Sequence, residues 1–298
     1  NIASILILFF YAKEKITNQF DKKILKKWLK FSWLPIYPGI AILVAGFDIS
    51  IFTIITGSVI GLAFWTAAMV LPAMISHTGL ISRAVYAKLL EEKTKEFMSE
   101  NLTLVFYFGI ILISLVITFA RPGLYALNPI YEIAFPVAII MSFEVFLSVF
   151  TNIFLLSLAG IEKVDKFENS TFKDYLKSKL FFPQTIRLIQ TSIYILILTV
   201  GLLILVGFGS SNQELLLFWA SIALVTQIPL VCVLYYLVQK SITIKLEISR
   251  IVKFLLTAIG AFGFTYILTT QFLVYSPDIT SFIPNVVMFA SLGVGLYI

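Results

Sequence analysis

Two carboxylates set deep in apolar sequence are the strongest chemical signals in this chain. Glu144 lies within PVAIIMSFEVFLSVFTN and Asp48 within ILVAGFDISIFTIITG. An ionisable side chain in such a run is costly in hydrocarbon and marks an ion, proton or substrate pathway by default. Ser148, Thr151 and Asn152 follow Glu144 at i+4, i+7 and i+8, which predicts one polar helix face. That face reads as the lining of a water-filled cavity, with Glu144 meeting a proton, a cation or a sugar hydroxyl. It also reads as an interhelical hydrogen-bond cluster. The first reading is favoured for Glu144 and the second for Ser148, Thr151 and Asn152. Asp48 sits roughly 12 Å from the end of its run at ~1.5 Å per residue. Ala41 and Ala45 narrow its face. A carboxylate at the outer rim, ion-paired to Arg121, and one lining a cavity are both open.

A second polar stripe, Arg187, Gln190, Thr191 and Tyr194, follows i, i+3, i+4, i+7 spacing. Its guanidinium suits a phosphate, or snorkels to the interface with no ligand at all. Gln227, two residues before Pro229, is placed to bond across helices where the proline frees a carbonyl. Pro35 and Pro38 interrupt their run, as broken helices do in transporters, although proline kinks also occur in inert bundles. His77, near a helix end, reads as a packing residue ahead of a proton relay.

Other chemistry is poorly represented. No GxxxxGK[ST] phosphate loop, HExxH, CxxC or GxSxG elbow occurs. The single histidine and the single cysteine, Cys232, leave no metal cluster or disulfide framework. No catalytic residue, metal ligand or cofactor is therefore expected, and the connectors are too short for a catalytic domain.

The elements that must position these residues are membrane helices. Of 298 residues, 59% are hydrophobic and 13% charged, against about 45–50% and about 25% in soluble domains. Apolar runs cover about 31–55, 58–81, 102–120, 128–160, 185–207, 215–239 and 250–274. Each is long enough for the roughly 20 residues that cross hydrocarbon. Two shorter runs, 1–12 and 284–298, read as helices truncated by the ends of the chain. The expected fold is an all-α polytopic transmembrane bundle of seven complete spans and two truncated ones.

The net charge of +6 points to no nucleic acid, because the basic residues sit in alternate connectors. They crowd 13–30, 82–101, 161–184 (with Arg187 just beyond) and 240–253, whereas the intervening connectors hold only Arg121. The positive-inside rule puts the basic connectors in the cytoplasm of a multi-pass protein of the cell membrane. Segment 13–30 is also amphipathic, with Phe20, Ile24, Leu25, Trp28 and Leu29 near one face. It suits contact with membrane lipids as well as a plain topological connector.

Residues 27–96 carry a basic lead-in (Lys30-Phe31-Ser32), a helix ending near Asp48, and a turn at Gly57. A second helix passes Pro72 to Ser82-Arg83, and Glu91-Glu92-Lys93 follow. This pattern resembles the repeat unit of polysaccharide flippases of the MOP (MATE-like) exporter superfamily. The next helix pair, closing on LLSLAGIEKVD, is similar to the third and fourth helices of a half in that family. The resemblance weakens over 208–298. It implies a MATE-like fold with two pseudo-symmetric halves of a fourteen-helix exporter. Here 31–298 would be the C-terminal half, 13–30 the inter-half linker and 1–12 the end of the preceding helix. The N-terminal half would lie in the same chain, and the protein would be a monomer. The implied partner is a lipid-linked oligosaccharide moved between leaflets by alternating access, without enzymatic chemistry. The candidate contacts are Glu144, Asp48, Arg187, Asn152, Gln190 and Gln227. The departure from this picture is thin positive charge, since only Arg187 and Arg121 could meet a diphosphate. A proton- or sodium-coupled antiporter of drugs or organic cations is the first alternative. An integral-membrane glycan-processing enzyme is the second, disfavoured by short outer connectors, and a non-transporting membrane scaffold is a third.

Overall fold

The computed structural model describes residues 36–82, 95–162, 172–242, 244–276 and 278–298, with Lys22, Leu25, Lys26 and Leu29. The chain divides into two compact units, 1–39 and 40–298. Most of the first unit, including run 1–12 and most of the basic segment 13–30, lies outside the described residues. So do Arg83 and Glu91-Glu92-Lys93.

Among the described residues the secondary structure is helical without strands, and the chain is an all-α polytopic bundle. Its elements are α1 (Tyr37–Ala45), α2 (Phe47–Thr56), α3 (Val59–Val70), a 3₁₀ segment (Pro72–Ser82), α4 (Lys95–Leu127) and a 3₁₀ turn (Pro129–Ala134). Then come α5 (Phe135–Ile161), α6 (Phe172–Lys177), α7 (Phe182–Gly207), α8 (Asn212–Ser241), α9 (Ile248–Phe272) and α10 (Ile279–Tyr297). Seven helical stretches are long and apolar enough to cross a membrane, or eight with α3 and its 3₁₀ continuation taken together.

Connectors without lysine are tight because their residues cap both flanking helices. Gly57 ends α2 at φ 63°, and its N–H donates to the Thr53 carbonyl at 3.0 Å. Only glycine takes that left-handed conformation cheaply. Ser58 then caps α3, accepting from Gly61 N–H at 2.9 Å. Between α7 and α8, Gly209 adopts φ 74°. Ser211 and Glu214 close a capping box on α8.

Four boundaries differ from those expected. The helix expected over 102–120 runs from Lys95 to Leu127 and absorbs Pro122, so Arg121 lies on helix and not in a loop. The 128–160 run is long because Asn128 caps a 3₁₀ turn before α5 begins at Phe135. The 58–81 run bends by 45° where Pro72 denies α3 a further backbone donor. The last helix starts at Ile279, five residues before Pro284, because Asp278 accepts from Thr280 N–H at 3.1 Å.

Packing supports one continuous bundle across residues 40–298. One core, around Phe52, Trp65, Leu198 and Trp219, joins α2, α3, α7 and α8. A second, around Phe150, Phe154 and Leu234, runs along α5 and α8. A third seats α9 and α10 against α4 through Ile111, Phe262 and Tyr297. The outer faces remain apolar and exposed, with Ile54 at 80% and Ile259 at 68%, as a lipid-facing surface requires. Hydroxyls within the spans donate back to carbonyls one turn earlier, as Thr66 does to Leu62 and Thr199 to Ile195. No buried donor is left over by these residues.

Candidate functional site

The two intramembrane acids meet in one place. A cavity of about 310 Å³ lies between α1–α2, α3, α5, α7 and α8. Its wall includes Asp48 from α2, Glu144, Ser148 and Thr151 from α5, Arg187, Gln190, Thr191 and Tyr194 from α7, and Thr226 and Gln227 from α8. Ala41, Ala45 and Ala223 let the backbone of α1 and α8 close on it. Five of the six candidate residues thus line the same space. The whole i, i+3, i+4, i+7 stripe of α7 faces it.

Each polar residue reaches the cavity for a local reason. Asp48 is in the first turn of α2, just past the break at Gly46, and accepts from Ile49 N–H at 2.7 Å. Its other oxygen accepts from the Tyr194 hydroxyl at 2.9 Å. That hydroxyl in turn accepts from Trp219 Nε1 at 2.7 Å. Trp219 is fully buried, stacked at 3.8 Å on Trp65 and at 4.8 Å on Phe52. Asp48 is therefore held by a relay that ends on an aromatic slab. On the opposite wall Gln227 Nε2 donates to Thr151 Oγ1 at 2.8 Å, tying α8 to α5.

Glu144 and Arg187 are arranged differently. Both are half-buried, and neither forms an ion pair or a side-chain hydrogen bond among the described residues. The cavity thus presents one carboxylate already engaged by phenol, one carboxylate without a partner, and one guanidinium without a partner. A cation, a proton or a sugar hydroxyl suits the carboxylates. A phosphate oxygen suits the guanidinium, which offers five donors and no acceptor.

Asn152 does not join this group. It lines a neighbouring cavity of about 280 Å³ with Ser76, Ser82, Glu144 and Ser148. Glu144 and Ser148 are common to both cavities, so the polar surface continues from Asp48 past Glu144 to the 3₁₀ segment. There Ser82 donates to Asn101 Oδ1 at 2.7 Å and Asn101 Nδ2 to the Ile81 carbonyl at 3.0 Å.

Three expectations are corrected. Arg121 does not pair with Asp48: it pairs with Glu132 in the adjacent 3₁₀ turn and lies 5.9 Å over the Tyr275 ring. Asp48 takes Tyr194 instead, so Arg121 adds no charge to the central cavity. His77, expected as a packing residue, is exposed. The break in the described part of the first span falls at Gly46, while Pro38 sits in the first turn of α1, where a proline costs little, and Pro35 lies outside the described residues.

Sequence reading passed over Trp219 and Trp65. The available signal was an indole N–H inside an apolar span, which must find an acceptor when buried.

Comparison with family models, with curated proteins and with solved structures returns no match.

Proposed function

We propose that this bundle is a membrane transporter whose substrate-binding surface is the cavity between Asp48, Glu144 and Arg187. Its proposed cargo is the head group of a lipid-linked oligosaccharide, moved between leaflets by alternating access. The observation that carries the reading is the convergence of these three ionisable groups on one cavity inside an apolar bundle. Such groups are retained in hydrocarbon only where they face water or a ligand. Arg187 would hold a phosphate oxygen, and Glu144, Gln190 and Gln227 would meet sugar hydroxyls. A volume of about 310 Å³ is at the small end of ligand sites. It suits part of an oligosaccharide head group and not the whole.

The test is complementation of a bacterial host that lacks its own flippase, with surface glycan as readout. Restoration by the wild-type protein and at least a tenfold loss in Arg187→Gln are expected. Efflux of organic cations with no glycan phenotype would sink the cargo assignment.

One observation favours a second reading. Two carboxylates and a single guanidinium share the cavity, so acids outnumber bases. That balance suits a proton- or sodium-coupled antiporter of organic cations, in which Asp48 or Glu144 carries the coupling ion. Transport that collapses when the ion gradient is dissipated, in proteoliposomes, distinguishes it.

A further inference from the structure

A second polar recess, separate from the central cavity, lies at the ends of the helices. It has a volume of about 440 Å³ and is formed where the turn from α6 into α7 meets the last turn of α8. Lys177 and Lys179 line it from the turn and Lys240 from α8, more than sixty residues away in sequence. Bringing three ammonium groups to one recess raises their mutual repulsion. Among the described residues no carboxylate is within ion-pairing distance of any of them. Two acids lie close in sequence or contact: Asp174, in the first turn of α6, and Glu162, whose Oε2 accepts from the Lys179 backbone N–H at 2.6 Å. Topology alone asks only that lysines be on one side of the membrane, not that they surround a shared space.

The same recess has an apolar side. Leu158, Leu237 and Phe182 line it, and the Phe182 ring is 51% exposed. Charge at one side and hydrocarbon at the other match an amphiphile that carries a phosphate on an acyl tail. Lysine ammonium groups act as point-charge phosphate binders, and basic recesses between membrane helices are sites for anionic head groups.

We propose that Lys177, Lys179 and Lys240 form a binding site for a phosphate anion carried by a membrane lipid. Leu158, Leu237 and Phe182 take the start of its acyl chains. The site holds whether or not the transporter reading does, because it shares no residue with the central cavity.

The experiment compares the purified protein in phosphatidylcholine nanodiscs with and without phosphatidylglycerol, and in phosphatidylcholine with added inorganic phosphate. Lipid or phosphate retained on the protein is read by native mass spectrometry. Phosphatidylglycerol should be retained selectively. Each lysine removed should weaken retention about fivefold, equivalent to about 1 kcal/mol for one basic group near the surface. The combined K177Q/K179Q/K240Q variant should lose about two orders of magnitude, and the K177R/K179R/K240R variant should keep binding. Should the triple glutamine variant fail to fold, K240Q alone, on an exposed last turn, carries the test through its fivefold effect. Retention indifferent to these lysines overturns the site. Phosphate retained as well in the absence of anionic lipid overturns the assignment to a lipid.

Discussion

Tyr194 does the most for the site as a single side chain. Its hydroxyl both donates to Asp48 and accepts from Trp219, so removing one oxygen takes the acceptor from the buried Trp219 indole and one donor from the half-buried Asp48 carboxylate. Leaving a buried partner unsatisfied costs about 1–3 kcal/mol, the upper end applying beside a charge. Tyr194→Phe should therefore lower stability by about 2 kcal/mol, read as a fall in the unfolding midpoint of the detergent-solubilised protein. The double variant with Asp48→Asn should lose less than the sum of the two singles, since both break the same contact. Gln227→Leu should cost less, about 0.6 kcal/mol, the usual worth of a hydrogen bond between membrane helices. An effect of Gln227→Leu larger than that of Tyr194→Phe would contradict this ordering. At this scale the sequence exposed which residues were chemically conspicuous but not what each would touch. Asp48 and Glu144 stood out as charges in apolar runs. The Tyr194 contact to Asp48 spans 146 positions, and no local spacing encodes it. Asn152 shows the opposite error. At 3.6 residues per turn it lies about 80° round the helix from Glu144, and that angle sends it into the neighbouring cavity. Thr151, about 20° away, stays in the wall and is claimed by Gln227.

Helix pairs carry the next level of the design, and glycine sets how closely α7 and α8 approach. A Cβ at Gly201 would fall 2.0 Å from Phe218 Cζ, and one at Gly109 would fall 2.0 Å from Phe146 Cε2. Neither contact can be relieved without moving a ring. Gly201→Ala should therefore destabilise by about 1–3 kcal/mol through overpacking, although alanine is the better helix former. Phe218→Leu should relieve most of that loss in the double variant, and thermal unfolding of the four proteins measures the coupling. At the start of α10, hydrogen bonds from the Thr280 hydroxyl and backbone N–H hold the Asp278 carboxyl below its ordinary range. A carboxyl with a depressed folded pKa stabilises the cap above its unfolded value. That contribution fades as pH falls through the lowered one. Hydrogen exchange in the first turn of α10 should rise on acidification below about pH 4, after correction for intrinsic rates, and should be flat in Asp278→Asn. The elements themselves were largely legible, since length and apolar composition are the signals that membranes select. Their ends were less so. The run expected to end near 120 continues in α4 to Leu127, and the cap at Asp278 rather than Pro284 decides where α10 starts.

At the scale of the whole molecule, the arrangement of cavities and charges implies a fixed orientation that can be measured. The cavity-forming helices α2, α3, α5, α7 and α8 share one core, while α9 and α10 pack on α4 through another. The central cavity is thus a property of a subset of the bundle, and α9 and α10 contribute no residue to it. Helix α8 is 30 residues long, about 45 Å at 1.5 Å per residue, which exceeds the ~30 Å of hydrocarbon. Its two ends must then emerge on opposite faces. One end carries the Ser211–Glu214 capping box and no lysine, while the other carries Lys240 and leads to Lys245. The positive-inside rule predicts that the second end is cytoplasmic. In a background with Cys232 replaced by alanine, Asn212→Cys should react with a membrane-impermeant thiol reagent in intact cells. Lys245→Cys should react only after permeabilisation. Both positions are exposed, so failure to react reports sidedness and not burial. Labelling of Lys245→Cys from outside would invert the topology and move the lysine recess to the outer leaflet. Labelling of both positions from one side would mean that α8 does not span. The central cavity would then have lost the wall that carries Gln227.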